Sequence, residues 1–544
     1  MIPIIKIRSI GIFFFLCFCY LIVFCNLIYL QLLQHSFFKV LGNKQYHVTV
    51  THLPPRGSII DRAGKNYLAI NKDSLSAFIL PRQIEMREKL EKFLNENFPG
   101  ALKRLINNAD THFIYVHRKL TDELINRIKK SGISDIKFLS EPSRYYPLPA
   151  AANIIGMTDI DNKGLFGLEL FYDKQLSGEP TTVTLEKDAR SNNFYFKKET
   201  TRSGKEPQPL QLTIDSDLQF IAFEAISDAI KKFSAQEGAA VIIDPTNGDI
   251  LAMVNVPSFD PNNFIESDLS ITKNKVITDA YELGSVFKIF SALAALEEKI
   301  VTPEELIDCK NSKTAYIDGR KINTVHEAGI ISFEEVIATS NNIGIAQVAK
   351  RIDSKLYEHY CRLGFGKKSG ISFPGENKGF INPPSQWSKQ SIISLSYGYE
   401  ISANLLQLAR AFSIIANDGY WVDLRLTFNQ LPSQKKQKLY SDNAVEITKK
   451  LLERTTAQGT ARKANIKGYK IMCKTGTANI LENGVYNPDK NLYTCGGIIE
   501  KNDYKRVIVI FIKEAAEKNL YASTVAAPIF EQIAQNVLIK DRII

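Results

Sequence analysis

The stretch Tyr281-Glu-Leu-Gly-Ser-Val-Phe-Lys-Ile-Phe290 contains a serine and a lysine three positions apart, Ser285 and Lys288. The run that follows, residues 289–298, combines strong helix formers with apolar side chains at helical spacing. If a helix begins at Ser285, the two side chains lie on one face, because positions i and i+3 are neighbours there. A partly desolvated lysine can take the proton of a serine hydroxyl, so the stretch predicts a nucleophile with its base.

The Ser-x-x-Lys spacing alone is weak evidence, because a solvated polar pair explains most such matches. The same spacing occurs at three other places, Ser36/Lys39, Ser270/Lys273 and Ser433/Lys436. The context of Ser285 is different, since Gly284 precedes it, an apolar helical pattern follows it, and two partner motifs lie downstream.

The length and composition of the chain limit its class. A chain of 544 residues is too long for a single core, so at least two domains are expected. The composition is that of a globular protein, 44% apolar and 23% charged. The net charge of +10 favours solubility and mild attraction to an anionic surface, and it does not by itself indicate a nucleic-acid partner. The sequence has no internal repeat, zinc-ligand spacing, Walker loop or dinucleotide-binding glycine pattern.

An uncharged segment near the start, residues 10–30, contains a single clearly polar side chain, Asn26. A segment of this length can cross the hydrocarbon core as a helix. Lys6 and Arg8 precede it, which predicts a cytoplasmic tail at residues 1–9 by the positive-inside rule. A cleaved signal peptide is the alternative, but the segment is long and no small-x-small cleavage site follows it. We therefore expect an uncleaved single-pass anchor in the cytoplasmic membrane.

The seven cysteines do not form a disulfide framework. Three lie inside the apolar segment and four are spread over the rest of the chain: Cys17, Cys19, Cys25, Cys309, Cys361, Cys473 and Cys495. Four scattered cysteines are too few for a stapled scaffold. The strand patterns leave open one bridge, between Cys473 and Cys495, with nothing to support it.

Residues 31–205 alternate short strand patterns with helical ones and predict a first, elongated mixed domain. No nucleophile–base pair is apparent in it, so a spacer or binding module is expected. The run Arg56-Gly-Ser-Ile-Ile-Asp-Arg-Ala-Gly64 suits a strand that leads into a tight turn, with its arginines and its aspartate paired by charge. The polar stretch 197–209 predicts a linker or an exposed loop.

Residues 206–544 predict a second domain of the α+β class. Its strand patterns lie at both ends, at about 239–254, 469–476, 493–499 and 506–512. Its helical patterns lie at about 216–232, 285–458 and 522–538. Strands at both ends with helices between them predict one antiparallel sheet packed by helices.

Ser340-Asn-Asn342 lies on a short predicted loop between the helical patterns 332–338 and 343–350. A hydroxyl and an amide on one loop can relay a proton and form hydrogen bonds to a peptide. Other Ser-x-Asn matches exist, but Ser441 is better explained as the N-cap of the helical pattern that begins at Ala444.

Lys474-Thr-Gly-Thr477 ends an apolar run, which predicts that it lies on a strand. Such a strand can present an amine and hydroxyls to a carboxylate. Gly476 would leave room for a substrate, and the amides of Ser285 and Thr477 would form an oxyanion hole. The three motifs, in this order and on these elements, favour one acyl-transfer site.

Together these motifs resemble the class B penicillin-binding proteins, over nearly the whole chain beyond the anchor. In the first domain the resemblance rests on Arg56-Gly-x-Ile-x-Asp-Arg-x-Gly64 and Gly164-x-x-Gly-x-Glu169. In the second it rests on Leu212-Thr-Ile-Asp, Pro257-Ser-Phe-Asp-Pro-Asn262, Tyr397-Gly-Tyr399, Gln407-Leu-Ala-Arg410 and Gly459-Thr-Ala461. The resemblance implies a pedestal or dimerisation-type domain at 31–205 and a transpeptidase domain of the serine β-lactamase type at 206–544.

The resemblance also implies catalytic roles. Ser285 would be the acylated nucleophile and Lys288 its general base. Ser340 and Asn342 would relay protons and hold the donor peptide. The reaction would be attack on the penultimate D-Ala of a peptidoglycan stem, loss of the last D-Ala, and transfer to an amine on a neighbouring stem.

The terminal carboxylate of the D-Ala-D-Ala donor would bind to Lys474, Thr475 and Thr477. Gly476 would also be a substrate-binding position, and Lys474 is counted among the catalytic groups. Penicillin-class inhibitors would acylate Ser285 because they are similar to the donor. The resemblance implies no metal, nucleotide or other cofactor.

The sequence departs from the family's usual pattern at a few positions. The family usually has proline where Leu283 stands and small residues where Met472 and Cys473 stand, and Leu-Pro-Ala replaces an expected glycine pattern at 148–150. None of these changes removes a reacting group, so activity is still expected.

The biological role and the partners follow from the resemblance alone. Asn342 and the compact spacing of the motifs resemble those of the cell-division (septal) branch. Members of that branch work beside a SEDS-type glycan polymerase and division proteins. The catalytic domain would lie in the periplasm. An elongation-type transpeptidase and a D,D-carboxypeptidase are the alternative enzymes. A β-lactam sensor or a non-catalytic division scaffold is the alternative of another class.

Overall fold

The computed structural model describes residues 2–52, 54–108, 110–111, 113–187, 195–264, 269–430 and 436–543. The chain divides into two compact units. The first consists of Met1–Pro55 and Ser177–Pro207, and the second of Arg56–Leu176 and Gln208–Ile544.

The helices are numbered in chain order. They are α1 Ile2–Ile28, α2 His35–Tyr46, α3 Arg87–Asn97, α4 Pro99–Asn107, α5 Asp122–Ser131, α6 Ala152–Ile155, α7 Gly167–Phe171, α8 Asp173–Ser177, α9 Ser216–Phe233, α10 Lys275–Thr278, α11 Lys288–Glu297, α12 Phe333–Ala338, α13 Asn342–Ile352, α14 Lys355–Arg362, α15 Ser391–Ser396, α16 Leu405–Ala416, α17 Asp442–Ala457 and α18 Ala526–Lys540.

The strands follow the same order. They are β1 His47–His52, β2 Ile59–Ile60, β3 Tyr67–Ile79, β4 Ile114–His117, β5 Lys137–Tyr145, β6 Thr181–Lys187, β7 Tyr195–Arg202, β8 Leu210–Gln211, β9 Glu237–Asp244, β10 Asp249–Val256, β11 Leu306–Asp308, β12 Thr314–Ile317, β13 Arg320–Asn323, β14 Ile330–Ser332, β15 Phe380–Ile381, β16 Ile401–Ser402, β17 Lys470–Glu482, β18 Val485–Lys501 and β19 Tyr504–Lys513.

The first unit contains the long apolar helix and a small sheet. Helix α1 continues into a π-helical turn, Tyr29–Leu33, and Lys6–Leu33 is the single helix in the described residues that is long and apolar enough to cross a membrane. Strands β1, β6 and β7 form an antiparallel sheet. The predicted linker at 197–209 is wrong at its start, because residues 197–202 belong to β7 and pair with β6.

The second unit is built around a five-stranded antiparallel sheet in the order β10-β9-β19-β18-β17. Alternate residues of β19 enter different cores, with Val507 and Val509 on one face and Ile508 and Ile510 on the other. Both faces are therefore covered, which explains the unbroken apolar run in the sequence. The predicted antiparallel sheet packed by helices is present.

Helices cover both faces of this sheet. Helices α9 and α18 pack on one face. On the other face lie α11 and α16, and α17 packs against both α11 and β17. Every residue from Lys288 to Leu296 is buried, so α11 is held from all sides and fixes the turn that precedes it.

The Arg56–Gly64 motif has a structural role, with partners that the sequence did not indicate. Arg56 Nε and Arg144 Nε donate to the two carboxylate oxygens of Glu169, each at 2.6 Å, and all three side chains are buried. Arg62 pairs with Asp249 at the start of β10. The expectation that the charged residues of the motif pair with one another is therefore wrong; they bind residues far away in the chain.

The cysteines are all unpaired, including Cys473 and Cys495. These two lie on the neighbouring strands β17 and β18 but are not directly opposite, because Cys473 faces Gly497 and Cys495 faces Thr475 in the register. Both thiols are buried, and burial raises the pKa of Cys473 well above its usual value. The bridge left open by the sequence is thus absent.

Candidate active site

Ser285 lies on a 3₁₀ turn, Gly284–Phe287, and the α-helix begins at Lys288. The prediction that the helix begins at Ser285 is therefore wrong by one turn. Gly284 adopts φ +61°, and a Cβ there would lie 2.8 Å from the carbonyl oxygen of Thr477. The backbone N–H of Lys288 donates to the Ser285 carbonyl, so the i, i+3 relation between the two residues is kept.

Ser340 brings the two lysines of the other motifs together. Its hydroxyl accepts hydrogen bonds from Lys288 Nζ at 3.0 Å and from Lys474 Nζ at 2.9 Å. Lys288 Nζ also donates to the Ser340 carbonyl, and Lys474 Nζ to the Thr475 carbonyl. Ser340 has a left-handed φ of 59°, which is uncommon for serine. Strained backbone conformations of this kind cluster at functional sites.

Both lysine side chains are fully buried, and burial disfavours an ammonium. Burial, helped by the neighbouring Lys474 amine, lowers the pKa of Lys288 well below its usual value. Burial also lowers the pKa of Lys474 to about 7. A neutral amine on Lys288 can accept a proton at neutral pH, as a general base must.

The two asparagines after Ser340 do different work. Asn341 caps α13, its Oδ1 accepting from the amides of Ile343 and Gly344. Asn342 Nδ2 donates to the carbonyl of Asn323 at 2.6 Å. Its Oδ1 is buried and has no hydrogen-bond partner among the residues that the structure describes, so this acceptor is open to a ligand.

The Lys474–Thr477 motif lies on β17, as predicted. Thr475 Oγ1 donates to Thr460 Oγ1 at 2.9 Å, and Thr477 Oγ1 accepts from the amide of Ala522 at 2.9 Å. The Thr477 hydroxyl proton therefore remains available to a carboxylate.

Gly476 has a contact that the sequence did not predict. A Cβ at this position would lie 2.5 Å from the Leu283 carbonyl oxygen and 2.8 Å from the Val286 nitrogen. The small residue is thus needed for the strand to approach the serine turn, whatever room it also leaves for a substrate.

The motifs converge on one cleft with a volume of about 530 Å³. Ser285, Ser340, Asn342, Thr475 and Thr477 all line it, while the two lysines lie behind Ser340. Pieces of chain near 285, 341 and 475 therefore meet, as the sequence predicted.

Several lining residues were not predicted as site residues. Tyr399 and Thr460 lie in runs that indicate the family resemblance but no chemical role, and His326 and Tyr521 lie on loops. Loop residues carry no periodicity that could have indicated where they lie.

Comparison with protein families matches two models to this chain. Residues 238–535 match the penicillin binding protein transpeptidase domain, and residues 51–212 match the penicillin-binding protein dimerisation domain. The chain is a class B penicillin-binding protein.

Relatives of this penicillin-binding protein are similar over most of their length. It is 30% identical over 517 residues to the probable peptidoglycan D,D-transpeptidase PbpC of Pseudomonas aeruginosa, covering 93% of this chain and 90% of the relative. It is 28% identical over 496 residues to the peptidoglycan D,D-transpeptidase FtsI of Escherichia coli K12, covering 89% and 83%.

Solved structures show the same fold. Penicillin-binding protein 3 from Mycobacterium tuberculosis, complexed with aztreonam, has a TM-score of 0.69 at 23% identity and covers 91% of this chain and 97% of its own. The transpeptidase domain of Burkholderia pseudomallei penicillin-binding protein 3 has a TM-score of 0.55 at 28% identity, covering 60% and 96%. The predicted family, the α+β architecture and the class of enzyme, a serine acyl-transfer transpeptidase, are confirmed.

Proposed function

We propose that this penicillin-binding protein is a membrane-anchored peptidoglycan D,D-transpeptidase that cross-links stem peptides through an acyl-enzyme on Ser285. The observation that carries the proposal is the pair of buried amines, Lys288 and Lys474, on the hydroxyl of Ser340 beside the cleft that Ser285 lines. The relatives named as D,D-transpeptidases support the choice of substrate.

In the acylation step Ser285 Oγ attacks the carbonyl of the penultimate D-Ala, and its proton passes to the neutral amine of Lys288. The C–N bond to the last D-Ala then breaks. The departing nitrogen needs a proton, and Ser340 can deliver it because its hydroxyl joins Lys288 to the open cleft. Asn342 would hold the donor peptide through its unpartnered Oδ1.

The terminal carboxylate of the donor would bind at Lys474, Thr475 and Thr477, with Gly476 keeping this strand against the serine turn. A protonated Lys474 supplies charge, and the hydroxyls supply directed hydrogen bonds. The oxyanion of the tetrahedral intermediate would accept from the amides of Ser285 and Thr477, whose backbones lie side by side at Gly284.

The domain division that we propose is a cytoplasmic tail at 1–9, an anchor at 10–30, a pedestal at 31–205 and a transpeptidase domain at 206–544. The apolar helix supports the anchor, and the positive charges before it support a catalytic domain on the periplasmic side of the cytoplasmic membrane.

The proposed reaction serves septal wall synthesis, because Asn342 and the compact spacing are similar to the cell-division branch. A SEDS-type glycan polymerase and division proteins are then the expected partners. A fluorescent fusion of the full chain should concentrate at mid-cell; a side-wall pattern would indicate the elongation branch instead.

Labelling with a fluorescent penicillin tests the chemistry. The full chain should become covalently labelled, and Ser285→Ala should abolish the labelling. Ser270→Ala is the matched control, because Ser270 and Lys273 have the same spacing but are exposed, and it should label normally. Labelling that survives Ser285→Ala would move the nucleophile elsewhere.

A further inference from the structure

The second half of the proposed reaction, on which this inference rests, needs a base that the acylation step does not supply. The acceptor is an amine on a neighbouring stem. An alkyl amine of the lysine type has a pKa of about 10.4 and arrives protonated at neutral pH. It must lose a proton before its nitrogen can attack the acyl-enzyme ester, and the base has to be reached from the open cleft.

The two lysines are poorly placed for this task. Lys288 and Lys474 have no exposed surface, and each amine is already bonded to Ser340. They lie behind the serine that faces the cleft, so an incoming ammonium does not meet them first. A protonated acceptor amine beside a protonated Lys474 is also unfavourable, because like charges repel.

His326 is placed on the accessible side. It lines the same cleft as Ser285 and Ser340 and is exposed. Its ring has no hydrogen-bonding or ionic partner within the described part of the chain. Imidazole exchanges protons near neutral pH, whereas the other two rings of the cleft, Tyr399 and Tyr521, are phenols, which are weak bases there.

The loop that carries His326 is fixed to the Ser340–Asn342 motif. Asn342 Nδ2 donates to the carbonyl of Asn323, and the Asn342 backbone N–H donates to Thr324 Oγ1 at 3.4 Å. His326 follows two residues after Thr324, so its backbone is tethered next to the motif that would hold the donor.

We propose that His326 is the general base for the acceptor amine. The neutral ring takes one proton from the ammonium, and the freed nitrogen attacks the ester carbon held on Ser285. As the new amide bond forms, the Ser285 C–O bond breaks and the second amine proton returns to Ser285 Oγ through the Ser340 hydroxyl and Lys288, the reverse of the acylation relay. The imidazolium then releases its proton to water, which balances the step.

The experiment separates acylation from transfer. Full-length wild type and His326→Gln are purified in detergent and given an N-acyl-D-alanyl thioester donor with D-alanine as the probe acceptor. The aminolysis rate should fall by on the order of 10²-fold, while the second-order rate of labelling by fluorescent penicillin stays within about twofold. His117→Gln, which removes an exposed imidazole from β4, should leave both rates unchanged.

Chemical rescue gives a second readout that a structural role would not produce. Added imidazole should restore a concentration-dependent part of the aminolysis lost in His326→Ala. The proposal is overturned if aminolysis is unchanged, if labelling falls by the same factor as aminolysis, or if imidazole has no effect. A wild-type chain that penicillin does not label would contradict the proposed function instead.

Discussion

At Ser340 one hydroxyl lies between two lysine amines, and the chemistry depends on these amines having different charges. Lys288 serves as a base only when neutral, whereas Lys474 binds a carboxylate best when protonated. Burial favours neutral amines and lowers the pKa of both lysines, that of Lys288 with help from the neighbouring Lys474 amine. The same residue type, lysine, therefore serves both as the base and as the carboxylate ligand, in slightly different surroundings.

This arrangement predicts a bell-shaped pH dependence of acylation by an anionic β-lactam. The second-order rate reports the free enzyme. It should rise from acid pH as Lys288 loses its proton, and fall above pH of about 7 as Lys474, with its pKa lowered to about 7, loses its charge. The rate is measured from pH 5 to 9, and samples held at pH 9 and returned to pH 7 control for unfolding. A rate that still climbs at pH 9 would assign the carboxylate to another cation.

The residues of the three motifs could be read from the sequence because each type has a specific chemical task. Taken together, Ser285, Ser340 and Lys474 indicate an acyl-transfer site before the folded structure shows where their side chains lie. His326 could not be found in this way, since an isolated histidine on a loop has many ordinary explanations. Only the folded cleft shows which loop faces the nucleophile.

At the scale of elements, the site depends on how closely β17 approaches the serine turn. Gly476→Ala introduces a Cβ where the Leu283 oxygen and the Val286 nitrogen already lie within 2.5 and 2.8 Å. Strand and turn must separate, which should lower penicillin acylation at least tenfold, since displacements of about 1 Å can cost 10²-fold. The free energy of unfolding should fall by about 1–3 kcal/mol.

Fluorescent-penicillin kinetics and thermal unfolding measure these two effects. Gly100→Ala is the matched control, because its Cβ would meet only Arg104 Nη1 at 3.7 Å. Normal acylation in Gly476→Ala would show that the close contact is not needed to position Ser285.

Helices and strands with a clear local sequence pattern were predictable, but the residues that they contact elsewhere in the chain were not. The strand at β19, which was predicted from its apolar run at about 506–512, and the N-cap of α17 at Ser441 follow from local patterns. The 3₁₀ start of the serine turn does not, because it results from the tertiary contact at Gly284. The partners of Arg56 also escape prediction, since Glu169 is more than a hundred residues away.

The Arg56–Glu169–Arg144 network should support the second unit without taking part in catalysis. Glu169→Ala leaves two buried guanidinium groups without their shared carboxylate, so we expect a loss of about 3–5 kcal/mol in unfolding free energy. Penicillin acylation per folded molecule should be unchanged at low temperature.

Thermal unfolding with parallel penicillin labelling checks this separation. Glu123→Ala removes the carboxylate of an exposed pair with Arg127 and should change the free energy by no more than about 0.5 kcal/mol. A Glu169→Ala protein as stable as wild type would mean that other contacts, such as Arg56 with Asp173, suffice.

At the scale of the whole molecule, the apolar helix is expected to attach the enzyme to the membrane, and the reaction would then take place at the membrane surface. The side chains of residues 10–30 are almost all exposed in the folded chain, and so much apolar surface is unstable in water. The full chain should therefore stay in the membrane pellet after an alkaline wash and dissolve only in detergent. Protein sequencing should find the first thirty residues still present, because no cleavage site follows the span.

A charge in the middle of the span tests the same point directly. Ile22→Arg should weaken insertion by about 2.5–3.5 kcal/mol and move part of the protein to the soluble fraction. Ile7→Arg, at the end of the helix between Lys6 and Arg8, should not, since an arginine there reaches the headgroups. A soluble wild-type chain that lacks its first residues would identify the helix as a cleaved signal peptide, and the transpeptidase would then act unattached to the membrane.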